Sequence, residues 1–107
     1  MMSHKFTVKN FSIIVPIFNE EDILLKSAAQ IYNICSRQKL EFEIIFVENG
    51  SKDQTLSLIN SFISDKRECK VIILSKANYG NALKQGFIEA KNEICLLYTS
   101  DAADDSL

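Results

Sequence analysis

Ile44-Ile45-Phe46-Val47-Glu48-Asn49-Gly50-Ser51-Lys52-Asp53 decides the fold. Four apolar residues in unbroken succession suit a strand covered on both faces, whereas a strand with one wet face would alternate. Polar residues begin abruptly at Glu48, and Asn49-Gly50 is a turn pair. The same form appears upstream in Ser12-Ile13-Ile14-Val15-Pro16-Ile17-Phe18-Asn19-Glu20-Glu21 and downstream in Val71-Ile72-Ile73-Leu74-Ser75-Lys76-Ala77-Asn78-Tyr79-Gly80. If these strands lie parallel in one sheet, their carboxyl ends share a single edge, the place where open α/β proteins bind ligands. Function is therefore expected on the three loops that follow them.

Helical spacing fills the intervals. Strands are predicted over 11–17, 42–48 and 70–74, with a fourth starting near Ile94. Pro16 is tolerated near the end of the first, where ladder pairing can stop. A first helix should begin at Asn19 as its cap, with Glu20, Glu21 and Asp22 in the positive first turn. Its inner face is expected to carry Leu24, Ser27, Ala28, Ile31, Ile34 and Cys35 at helical spacing. A second helix is predicted over 53–63 and a third over 81–91. Gly86 inside the third costs about 1 kcal/mol against alanine, which points to close packing on the sheet. Alternating strands and helices with right-handed crossovers give an α/β domain: an open, mostly parallel sheet with helices on both faces.

The chain has 107 residues, 47% of them apolar, room for one domain and one core. Twelve basic against fourteen acidic residues give a net charge of −2, which supplies no broad positive field, so nucleic acid is not an expected partner. Residues 1–10 form a polar leader without the apolar centre of a signal peptide, and no apolar run approaches the roughly 20 residues of a membrane span. A cytoplasmic location follows as the expectation. Cys35, Cys69 and Cys95 have no paired spacing and no nearby histidine, so they read as small hydrophobes rather than zinc ligands or disulfide partners.

Among the polar residues at the strand ends, Glu48 carries the sharpest signal. A carboxylate there can accept a hydrogen bond from an imide N–H, the group that marks uracil and guanine. A solvated acid at a strand end is the plainer alternative. Asn49 and Gly50 also suit an ordinary turn, and Ser51, Asp53 or Thr55 can cap the second helix. Glu20 serves either the helix dipole or a ligand. Pro16 and Phe18 either line a slot for a base or ribose or belong to the core. The Asn78-Tyr79-Gly80 turn can bring backbone N–H groups, with Lys76 or Lys84, toward phosphate oxygens. The glycine-rich dinucleotide fingerprint, the P-loop and the nucleophile elbow are all missing.

Two of these segments resemble a known family, the inverting family 2 glycosyltransferases of the GT-A fold. Ile14-Val15-Pro16-Ile17-Phe18-Asn19-Glu20 is similar to the motif V-x-P-x-Y-N-E, and Val47 to Thr55 to V-D-D-G-S-x-D-G-T. Asn78-Tyr79-Gly80 with Ala82 and Gly86 is similar to a third, looser N-x-G segment. The resemblance implies the Rossmann-like N-terminal half of a GT-A fold over residues 11–94. It implies that Pro16, Phe18 and Glu20 border the nucleoside and that Glu48 or Asn49 binds the base. With Asp53, Asn78 and Gly80 these complete the expected donor site, and no residue is assigned a catalytic role. The sequence departs from the pattern where glutamate and asparagine replace the two aspartates and Gln54 replaces glycine.

What the resemblance implies for function is transfer of a sugar from a nucleoside diphosphate-sugar, UDP- or GDP-linked, to a hydroxyl or polyprenyl phosphate acceptor. The intact enzyme would use a divalent cation, magnesium or manganese, as Lewis acid, and would work in the cytoplasm or at the cytoplasmic membrane face. In the family the fourth strand ends in a D-x-D metal motif. Here Thr99 and Asp101 fall at its two positions. Cys95 to Asp105 resembles the translation of a transposon sequencing adapter, so 95–107 is expected to be a non-native tail, with a variant metal site as the other reading. On the first reading native sequence stops before the metal motif, the acceptor-binding half and the catalytic base, and the chain alone is expected to be catalytically silent. A reading from another class is a non-catalytic doubly wound module that binds a nucleotide or a protein.

Overall fold

The apolar runs become four strands: β1 (Phe11–Ile17), β2 (Phe42–Asn49), β3 (Cys69–Leu74) and β4 (Ile94–Leu97). In the computed structural model, which describes residues 10–99, they form one sheet in the order β3-β2-β1-β4, and every neighbouring pair is parallel. Between them lie α1 (Leu24–Ser36), α2 (Thr55–Ile63) and α3 (Tyr79–Glu89). The expected leader lies outside the described residues except for Asn10, and so do residues 100–107 with Asp101. Residues 95–97 pair with β1, and the Tyr98 N–H donates to the Ile14 carbonyl at 2.9 Å.

Side chains alternate across the pleat, so each strand serves two cores. Phe11, Val15, Ile17, Ile44 and Phe46 pack with Leu24, Ala28, Ile31 and Cys35 of α1 and Ile59 of α2. On the opposite face Ile14, Ile45 and Val47 pack against Ala82 of α3. Helices therefore cover both faces, as the continuous apolar strands require. Gly86 lies over this second core, where a Cβ would overlap the Ile14 Cγ2 and come within 3.3 Å of the Val47 Cγ2. Close approach of α3 to the sheet accounts for a glycine in mid-helix.

The helix starts differ from expectation. Asn19 does not cap α1: it has φ of 47° and spends its side chain on the Lys52 N–H at 2.8 Å. The chain makes a separate turn first, in which Ile23 and Leu24 donate to the Glu20 carbonyl, so Glu20, Glu21 and Asp22 precede the helix rather than occupy its first turn. α2 begins at Thr55. α3 begins two residues before the predicted position, because the Asn78 side chain caps it by accepting from the Asn81 N–H at 2.9 Å.

The strand order places a topological switch between β1 and β4. From β1 the chain runs outward to β2 and β3, then crosses back to the far side of β1. Ile17 is in register with Glu48, and Glu48 with Ile73, which brings the carboxyl ends to one edge. Ligands of open α/β sheets bind in the crevice at such a point.

Candidate functional site

The loops leaving β1 and β2 are laced together by reciprocal hydrogen bonds. The Asn19 N–H donates to Ser51 Oγ at 2.8 Å and the Glu20 N–H to Thr55 Oγ1 at 2.7 Å. The Glu21 N–H donates to Asp53 Oδ2 at 3.2 Å, and the Gln54 N–H returns a bond to Glu21 Oε1 at 2.9 Å. Asp53 also accepts from the Thr55 N–H at 2.9 Å. Partial desolvation opposes the charge on Asp53, but bonds from Thr55 and the Glu21 N–H outweigh it and lower the carboxyl pKa. Asp53 thus fastens one loop to the other.

The third loop is tied in through Asn49, whose Oδ1 accepts from the Asn78 N–H at 2.7 Å. Gly50 allows this closeness: it has φ of 76°, and a Cβ there would stand 2.6 Å from the Ala77 backbone nitrogen. The three strand-end loops form one connected rim.

Inside that rim is a cleft of about 240 Å³ lined by Pro16, Ile17, Phe18, Glu20, Asn49, Tyr79 and Thr99. It sits at the topological switch. Phe18 and Tyr79 are each about half exposed, 43% and 53%, and present aromatic surface at its mouth. A planar ring can stack there. Asn49 is almost fully buried at 7% exposure, on the α3 side of the sheet.

Of the residues expected from sequence, Pro16, Phe18, Glu20 and Asn49 share the cleft wall. Glu48, Asp53, Asn78 and Gly80 are not among its lining residues. Glu48 is 2% exposed, and its two carboxylate oxygens accept from the Ser51 N–H at 3.2 and 3.0 Å. Strand alternation explains this, since Glu48 falls on the α1–α2 side while Asn49 falls on the α3 side. Asn78 and Gly80 flank the lining residue Tyr79. Nothing in the packing demands glycine at position 80, where a Cβ would meet only Asn78 Oδ1 at an ordinary 3.6 Å. The lining roles of Ile17 and Tyr79 were not assigned from sequence; the start of α3 at Tyr79, set by the Asn78 cap, would have indicated the second. Thr99 reaches the cleft from the end of β4.

A divalent cation does not fit this donor set. Among the described residues no three histidine, cysteine, aspartate or glutamate side chains come together as a metal site, and Glu20 is the one acid on the cleft wall.

Comparison with known proteins agrees with this fold. The chain is 29% identical over 96 residues to an undecaprenyl-phosphate 4-deoxy-4-formamido-L-arabinose transferase of Pectobacterium atrosepticum, covering 88% of this chain and 29% of that protein. It is 33% identical over 102 residues to a dolichyl-phosphate beta-glucosyltransferase of Dictyostelium discoideum, covering 88% and 31%. The chain thus spans less than a third of the length of these relatives. Among solved structures, that of S. aureus TarS superposes with a TM-score of 0.68 at 29% identity, over 88% of this chain and 17% of TarS. Residues 12–106 match glycosyl transferase family 2, and with the parallel sheet and its switch-point cleft this places the chain in that family.

Proposed function

We propose that the cleft binds the nucleotide of a nucleoside diphosphate-sugar and that residues 11–94 are the donor-binding half of a sugar transferase. The observation that carries this reading is convergence: residues from the ends of β1 and β2, the start of α3 and the end of β4 line one cleft at the switch point. Phe18 and Tyr79 would hold the base or ribose by stacking, with Pro16 shaping the slot. Glu20 would accept from ribose hydroxyls. Gly80, in the first turn of α3 that the Asn78 cap sets, would bring its backbone N–H toward the diphosphate, where an open position without a Cβ lets a ligand approach.

The names of the undecaprenyl-phosphate and dolichyl-phosphate relatives support a lipid-phosphate acceptor, and with it action at a membrane, whose cytoplasmic face is the side proposed. No helix among the described residues is long and apolar enough to cross one. The reaction proposed for the whole protein is a single displacement that inverts the anomeric carbon. Family members commonly employ a divalent metal, and among residues 10–99 no three histidine, cysteine, aspartate or glutamate side chains come together to hold one. The part assigned to this chain is to bind and orient the donor, and no catalytic residue is assigned.

Titration of the isotope-labelled chain with nucleoside diphosphates, followed by amide NMR, tests the reading. Saturable shifts are expected at Ile17, Phe18, Asn49 and Tyr79, and Tyr79→Ala should weaken binding about fivefold or more through lost stacking. A folded chain whose cleft amides ignore every nucleoside diphosphate at millimolar concentration would overturn it.

A further inference from the structure

β4 is the least secured strand of the sheet. Among the described residues it pairs with β1 alone, and Ile94, Leu96 and Leu97 stay exposed, so packing contributes little to holding it. Its far end nevertheless matters to the cleft, because the Tyr98 N–H donates to the Ile14 carbonyl and Thr99 lines the wall. Its near end is fixed by a buried carboxylate.

That carboxylate belongs to Glu43, near the start of β2, and it gathers donors from separate parts of the chain. Its Oε2 accepts from Ser12 Oγ of β1 at 2.7 Å and from the Lys91 N–H at 2.6 Å, in the connection between α3 and β4. Lys70 Nζ of β3 stands 3.5 Å from its Oε1. Ser12 Oγ in turn accepts from the Asn92 N–H at 3.3 Å, and the Asn92 side-chain amide donates to the Phe11 carbonyl at 3.0 Å. Consecutive backbone donors of the connection, Lys91 and Asn92, thus end on one buried pair, Ser12 and Glu43, which β1 and β2 hold in register. A charged acceptor makes such bonds roughly twice as strong as neutral ones, and a carboxylate buried without them would be costly.

We infer that Glu43 is a positioning residue for the cleft: with Ser12 it clamps the entry to β4, and β4 carries Tyr98 and Thr99 to the opposite edge of the sheet. The clamp lies at the amino ends of β1 and β2 and the cleft at their carboxyl ends, so the coupling runs through β4 as one element, either docked on β1 or released from it. Release takes Thr99 from the cleft wall and leaves β3, β2 and β1 with their helices in place.

Native-state amide hydrogen exchange of the 107-residue chain tests the clamp. Glu43→Gln should speed exchange at Lys91, Asn92 and Tyr98 about tenfold or more, because the released form loses nothing by the substitution while the docked form loses a charge-assisted bond. Ile59→Val, which thins the core on the other face of the sheet, should speed the Phe46 amide of the central strand and leave those three unaltered. Tyr98 exchange unmoved by Glu43→Gln would overturn the inference. So would Tyr98 following Phe46 in Ile59→Val, since β4 would then open only with the whole fold. Should Glu43→Gln fail to fold, Ser12→Ala decides: faster exchange at Asn92 and Tyr98 upholds the clamp, and unchanged exchange at Tyr98 overturns it. One further arm rests on the nucleotide reading above. A nucleoside diphosphate at ten times its dissociation constant should slow Tyr98, Lys91 and Asn92 together by about tenfold; protection confined to Tyr98 would break the link between cleft and clamp, whereas absence of binding removes the nucleotide reading and leaves the variants to decide the clamp.

Discussion

Glu43 shows how one residue can govern the acid stability of this molecule. It is 4% exposed and accepts from Ser12 Oγ at 2.7 Å and the Lys91 N–H at 2.6 Å, with Lys70 Nζ at 3.5 Å. Burial opposes its charge, but these partners outweigh burial and hold its carboxyl below the ordinary 4.5. A carboxylate depressed on folding contributes stability above the unfolded-state pKa and loses it as pH falls through the folded-state value. Unfolding free energy should therefore decline below about pH 4.5, and Glu43→Gln should flatten that decline while costing about 1–3 kcal/mol at neutral pH. Urea titrations of both proteins at pH 7 and across the acid range check it. Gly86→Ala should also destabilise, by about 1–2 kcal/mol, because overpacking against Ile14 and Val47 exceeds the gain in helix propensity. At this scale the sequence was informative where chemistry is local: a glycine in mid-helix signalled close packing. It was less informative at Glu48 and Asn49, where strand alternation aims adjacent polar residues at opposite faces.

At the scale of elements, the strands were legible and the helix starts were not. A run such as Ile44-Ile45-Phe46-Val47 has one comfortable environment, between two helical layers, and β1 spans Phe11–Ile17, as its apolar run indicates. The start of α1 is decided elsewhere, by bonds from Asn19, Glu20 and Glu21 to a loop more than 30 residues away. Such tertiary bonds outweigh the local preference of Asn19 for a cap. The lacing itself is testable. Thr55 is fully buried and accepts from the Glu20 N–H, so Thr55→Val keeps the shape but orphans that donor. A loss of about 1–3 kcal/mol is expected, with faster amide hydrogen exchange at Glu20 than in the parent. Unchanged exchange there would mean that the two loops do not depend on this bond.

Across the whole molecule, the core beneath α1 and α2 makes the two buried thiols, Cys35 and Cys69, reporters of global unfolding. Burial pushes Cys35 up to about 11 and Cys69 up to about 12, so neither forms thiolate at neutral pH while the fold holds. Cys95 is only partly buried. One thiol should react rapidly with a disulfide reagent, and the other two at a rate that follows denaturant as unfolding does. The architecture was readable as a whole because alternating strands and helices admit few right-handed arrangements, whereas the cleft depends on which loops meet, which only the assembled sheet fixes. That sheet ends at β4, which pairs with β1 alone among the described residues and carries Ile94, Leu96 and Leu97 at 39%, 50% and 46% exposure. Among the described residues no strand pairs with its outer edge, whose amides and carbonyls form a ready template for another copy, so concentrated preparations should self-associate strand to strand, and Leu96→Lys should keep the chain monomeric in sedimentation.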